Sequence, residues 1–113
     1  MPKSYRDLLV WKRSFILTKD TYKVLEKLPK TEQFGLISQV QRSAVSIPSN
    51  IAEGQQRSGP KEFKQFLGIA RGSAAELSTQ LQLIQELYEI DVTKLIEELE
   101  EIQKMLYSLQ NKL

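Results

Sequence analysis

Apolar residues recur every three or four positions along most of the chain, in four runs separated by short breaks. Val92, Leu95, Leu99, Ile102, Leu106, Leu109 and Leu113 form the cleanest stripe. Phe63, Leu67, Ala70, Ala74, Leu77, Leu81, Ile84 and Tyr88 form a second, and Ile37, Val40, Ala44, Ile47 and Ile51 a third. Such spacing places each set on one face of an α-helix, which is stable when buried against other helices. The pattern predicts helices over about 4–28, 31–54, 60–89 and 92–112. Ser4 with Asp7 suits a capping box, Pro29 stops the first helix, and Pro60 suits a first turn. Asp91 or Thr93 can cap the last. Short connections make neighbours antiparallel, so the predicted fold is all-α, an up-down-up-down four-helix bundle occupying 1–113 as one domain.

The first run carries more apolar surface than one core needs. At about 100° per residue, Leu8, Trp11, Phe15, Tyr22 and Leu25 share a face, which the spacing assigns to the core. Val10, Leu17, Val24 and Leu28 line the opposite side, with Leu9 and Ile16 as a third patch. Soluble monomers rarely leave large contiguous apolar patches in water, so Val10, Leu17, Val24 and Leu28 are the expected interface of a homo-oligomer. On that expectation Leu17→Glu separates subunits without unfolding them.

The stretch 39–54 is unusual. Pro48 lies inside helical spacing, cannot donate to the carbonyl of Ala44 and is expected to kink the helix. Away from the apolar stripe stand Gln39, Arg42, Ser46, Asn50 and Glu53, with Ser49 beside them. This face is polar but sparsely charged. It suits hydrogen bonding to a neighbouring helix, a second subunit or a ligand; alternatively, the serines satisfy carbonyls freed at the proline.

Composition narrows the chemistry. The chain has no Cys and no His, removing disulfides, thiolate chemistry, and the commonest general base and metal ligand. No phosphate-cradling glycine loop or metal-ligand spacing is present, so neither cofactor nor catalytic residue is assigned. Ser58 and Lys61 match S-x-x-K, but at a turn entering a helix this reads as capping. Glu97, Glu98, Glu100 and Glu101 read as a solvated face, with Glu100 spaced to pair with Lys104. No apolar run approaches the roughly 18 residues of a membrane span, and no signal-peptide core opens the chain, so a cytoplasmic setting without membrane contact is expected.

Net charge is only +2, but it is polarised: residues 1–71 hold 13 Lys/Arg against 6 Asp/Glu, and residues 72–113 hold 3 against 8. The basic half can meet the acidic half within or between subunits, or attract phosphates. Lys12, Lys19, Lys23, Lys27 and Lys30 form a stripe on the first helix, interrupted by Glu26. Arg57, Lys61, Lys64 and Arg71 add charge further on. These are candidate contacts to RNA or DNA, without the aromatic interleaving of base stacking. Trp11, on the expected core face, is a poor stacking candidate.

Motifs along nearly the whole chain carry a family resemblance. They are Leu9-Val10-Trp11, Phe34-Gly35-Leu36, Gln39 to Arg42, the run Ser46-Ile47-Pro48-Ser49-Asn50-Ile51-Ala52-Glu53-Gly54, Arg57, Phe63, Phe66-Leu67 and Ile69 to Leu77. The chain resembles the four-helix bundle family of proteins encoded in 23S rRNA intervening sequences, the S23 proteins, with relatives among diversity-generating retroelement accessory proteins. The resemblance implies a ring, commonly a pentamer, without catalytic residues, associated with rRNA or cooperating with a reverse transcriptase. Its signature positions here are Arg42, Ser46, Pro48, Asn50, Glu53, Gly54, Arg57, Gly72, Ser73 and Glu76. Arg42 and Glu76, on adjacent predicted helices, are expected to form with Asn50 and Glu53 a network pinning helix two to helix three. Arg42→Ala is then expected to be strongly destabilising.

Overall fold

The computed structural model describes residues 4–57 and 59–113, so the capping expected of Ser58 lies outside the described residues. Four α-helices are present: α1 (Leu9–Leu25), α2 (Leu36–Gln56), α3 (Pro60–Tyr88) and α4 (Thr93–Asn111), with short 3₁₀ turns at Tyr5–Asp7 and Lys30–Glu32. The described residues contain no strand. α2 packs most extensively on α3, while α1 contacts α2 and α4, and α3 contacts α4. Residues 64 and 71 of α3 meet 110 and 103 of α4, so these two helices run in opposite directions. The same inverse register relates Ser46 to Ser73 and Gly54 to Phe66 across α2 and α3.

The expected helices differ most at their ends. Ser4 accepts from the Arg6 N–H at 3.2 Å and so caps the first 3₁₀ turn; extended backbone at Leu8 then separates that turn from α1. α2 starts at Leu36 and not near 31, because Gly35 takes the N-cap and the Glu32 carboxylate accepts from the Leu36 N–H at 3.4 Å. The other Glu32 oxygen accepts from the Tyr88 hydroxyl, which ties this connection to the end of α3. Pro60 opens α3 as expected, and Glu89, in the left-handed region at φ 54°, closes it. Asp91 Oδ1 accepts from the Thr93 N–H at 3.0 Å at the start of α4, with Val92 at the N-cap position. Lys104 pairs with Glu101 at 3.5 Å and not with Glu100.

The stripes of α2, α3 and α4 enter one core containing Ile47, Ile51, Leu67, Leu77, Leu81, Leu99, Ile102 and Leu106. α1 turns its other side to that core, although Leu25 of the expected face is buried in it and Leu8 and Trp11 pack at its edge. Val10 (4% exposed), Leu17 (1%) and Leu28 (7%) are buried within the subunit and Val24 packs against them, correcting their expected role between subunits. Phe15, Tyr22, Leu9 and Ile16 are exposed instead. Two polar residues account for the reversal. Ser14 and Thr21 sit in the middle of the buried stripe and satisfy their hydroxyls locally, by donating to the carbonyls of Trp11 (3.0 Å) and Leu17 (2.7 Å). Leu17→Glu would therefore place a charge in the core and unfold the subunit.

Candidate nucleic-acid interface

Lys12, Lys19 and Lys23 project from the outer face of α1, Lys12 and Lys19 two turns apart and Lys19 and Lys23 one turn apart. All three are exposed, and none pairs with a carboxylate among the described residues. Beside them runs an aromatic wall. Tyr5 meets Trp11 edge-on with centroids 5.1 Å apart, and Trp11 meets Phe15 at 5.1 Å with a 35° tilt. Tyr22 continues it, and Val45, Pro48, Ser49 and Ala52 of α2 close the far side, leaving an open groove of about 630 Å³. Lys19 and Lys23 line its rim, and no carboxylate does. Sequence reasoning missed this groove by assigning its aromatics to the core. The available signal was the interleaving of Trp11, Phe15 and Tyr22 with Lys12, Lys19 and Lys23.

The other basic candidates do not join this surface. Arg57 pairs with Glu53 at 2.7 Å, approaches Glu62 at 3.9 Å and lies over the Phe66 ring. Its pKa is raised above the ordinary arginine value, chiefly by the hydrogen bond to Glu53. Arg71 donates to Gln110 Oε1 at 2.7 Å and lies over the Tyr107 ring. Lys61 and Lys64 are exposed on α3, whose neighbours in the bundle are α2 and α4 and not α1. Lys27 and Lys30 follow the end of α1.

The signature residues meet between α2 and α3. Ser46 and Ser73 hydroxyls lie 2.7 Å apart, and Asn50 Nδ2 donates to the Ser46 carbonyl (2.7 Å) and Oγ (2.9 Å). Gly54 lets the helices approach: a Cβ there would lie 2.6 Å from Phe66 Cβ and 3.0 Å from Phe63 Cδ1. The expected Arg42–Glu76 pair is absent. Both side chains are exposed on the rim of a cleft of about 460 Å³, and among the described residues Arg42 donates only to Ser38 on its own helix, at 3.4 Å. Ser46, Ser73 and Asn50 pin the helices in their place, and Glu53 pairs instead with Arg57. In the same cleft Gln80 is buried, and its Oε1 has no hydrogen-bond partner among the described residues.

α2 remains helical through Pro48. The Ala44 carbonyl, which loses its usual donor there, accepts from Thr18 Oγ1 of α1 at 3.1 Å, so a threonine and not a serine supplies the replacement. The two charged halves of the chain meet at Arg13, which donates to Glu98 of α4 at 2.8 and 2.5 Å. That bond holds the Glu98 carboxyl below the usual carboxylate range. Among the described residues no three His, Cys, Asp or Glu side chains cluster to hold a metal, and no helix is long and apolar enough to cross a membrane.

Residues 6–108 match the family model described as 23S rRNA-intervening sequence protein. The chain belongs to that family. A solved structure from Bacteroides thetaiotaomicron, described as a protein of unknown function from the S23 ribosomal protein family, is 28% identical and superposes with a TM-score of 0.78. The alignment covers 90% of this chain and 98% of that one. No protein of curated function matches. Within the 23S rRNA-intervening sequence family, then, this chain pairs a serine-pinned α2–α3 contact with an α1 surface of lysines and aromatics that the carboxylates leave unpaired.

Proposed function

We propose that the protein is a non-enzymatic, cytoplasmic homo-oligomer, a ring of five as the resemblance implies, that binds RNA or DNA with little sequence preference. The observation that carries this reading is the row of Lys12, Lys19 and Lys23, exposed and without carboxylate partners. Phosphates are the complementary ligand for such a row, and contacts to them carry no sequence information. The family's description, tied to 23S rRNA intervening sequences, supports RNA as the natural polymer. Self-association finds support on the α2–α3 side, where Phe34 is 90% exposed and Ile69, Leu83 and Leu87 also face solvent. Several copies then present several basic rows to one strand, which raises apparent affinity.

A mobility-shift titration in low salt, using mixed RNA and DNA, tests the binding. Lys19→Gln with Lys23→Gln is expected to weaken binding to all sequences alike and flatten the salt dependence by about one unit of slope per lost contact. Light scattering is expected to give a mass several-fold above 13.0 kDa, and a monomer mass at micromolar concentration overturns the assembly. The second reading is a scaffold for a protein partner such as a reverse transcriptase, favoured by the same exposed apolar residues. Absence of any shift in low salt would select it.

A further inference from the structure

We propose that the groove between α1 and α2 is a stacking site for unpaired bases, which makes the protein a single-strand binder with low affinity for duplex. This rests on the nucleic-acid reading above and adds to it a site and a strandedness. Three features of the groove converge on that occupant. Its wall is aromatic: Phe15 and Tyr22 are 47% and 41% exposed, and Trp11 is held between Tyr5 and Phe15. Its floor, made by Val45, Pro48 and Ala52, offers apolar surface on which the second face of a base can rest. Its rim carries Lys19 and Lys23 and no carboxylate.

An apolar, aromatic trough with a cationic edge is complementary to a ligand that combines flat π-faces with a negative backbone. A single strand has both within one nucleotide, whereas a duplex hides its base faces in the stack and presents only phosphate. Along α1 the order is Trp11, Lys12, Phe15, Lys19, Tyr22 and Lys23, so a strand lying along the helix meets a ring and a cation alternately. A second copy of this chain is the competing occupant, since it too would cover the aromatics.

Trp11 is the only tryptophan in the chain, so its emission reports on the groove directly. Titrating the full-length protein with a short oligouridylate or oligothymidylate is expected to quench and shift that emission saturably. The same strand annealed to its complement is expected to bind about tenfold more weakly, with little change in emission. Phe15→Ala and Tyr22→Ala, both at exposed positions, are each expected to cost the single strand about tenfold in affinity and leave duplex binding unaltered, with parental thermal melts. Salt-dependent binding that leaves Trp11 emission unmoved and is indifferent to Phe15→Ala overturns the stacking site while sparing the phosphate contacts. No binding to any strand overturns both. Trp11 emission that shifts with protein concentration alone, and then ignores oligonucleotide, assigns the groove to a second copy and overturns the proposal.

Discussion

Pro48 removes one hydrogen bond from α2, and the hydroxyl that answers for it belongs to another helix. Thr18 Oγ1 lies 2.8 Å from the Ser14 carbonyl and 3.1 Å from that of Ala44, so one proton serves two acceptors. Thr18→Val is expected to cost about 1–3 kcal/mol, the usual penalty for a buried acceptor left unsatisfied, as read by chemical denaturation. Combining it with Pro48→Ala, which restores the amide donor, should shrink that cost, and a cycle showing simple additivity would sink the explanation. Gly54 makes an equally specific demand. Gly54→Ala gains helix propensity but drives a methyl into Phe66 Cβ, so a net loss of about 1–3 kcal/mol is expected in a thermal melt. Arg42→Ala, by contrast, removes an exposed side chain bonded only to Ser38 and should lie within about 0.5 kcal/mol of the parent.

Among the elements, α1 and α4 are joined by the Arg13–Glu98 pair, 33% exposed on both sides and therefore worth about 0.5–1 kcal/mol. Because the folded Glu98 carboxyl titrates below its unfolded value, the contribution is complete above the unfolded pKa. It fades as pH falls through the lowered folded value. Melting temperature should thus drop more steeply on acidification in the parent than in Glu98→Gln, and parallel curves would remove the pair from the stability account. The same two helices mark the limit of what the sequence shows. α4 was legible because Val92, Leu99, Ile102 and Leu106 repeat without interruption and all are buried. α1 was not, because Ser14 and Thr21 break its buried stripe with hydroxyls that satisfy themselves on the backbone, while the louder aromatic stripe faces outward. The serine contact between α2 and α3 was legible as a polar face with little charge. The failure of Arg42 to reach Glu76 was not, since side-chain direction across a helix pair depends on packing that spacing does not encode.

For the molecule as a whole, Gly72 is informative. It lies in mid-helix, exposed, with nothing within 4 Å of an added Cβ, so nothing inside the subunit requires glycine there. Gly72→Ala should raise subunit stability by about 0.5–1 kcal/mol. If copies meet on this side of α3, light scattering should show weakened association in the same variant; unchanged assembly would move the interface elsewhere.

The adjacency of α1 and α4 has an electrical side. α1 turns Lys12, Lys19 and Lys23 to solvent, and α4 turns Glu97, Glu100 and Glu101, so neighbouring flanks of one narrow bundle, 43 × 24 × 19 Å, carry opposite sign. A charged object so arranged feels a torque in the field of a polyanion. It rotates until the lysine flank leads and the glutamate flank is turned aside, before any contact is made. At physiological ionic strength that orienting force reaches only about 8 Å. A strand bound as proposed would meet the protein already turned the right way, and in concentrated salt would meet it at random.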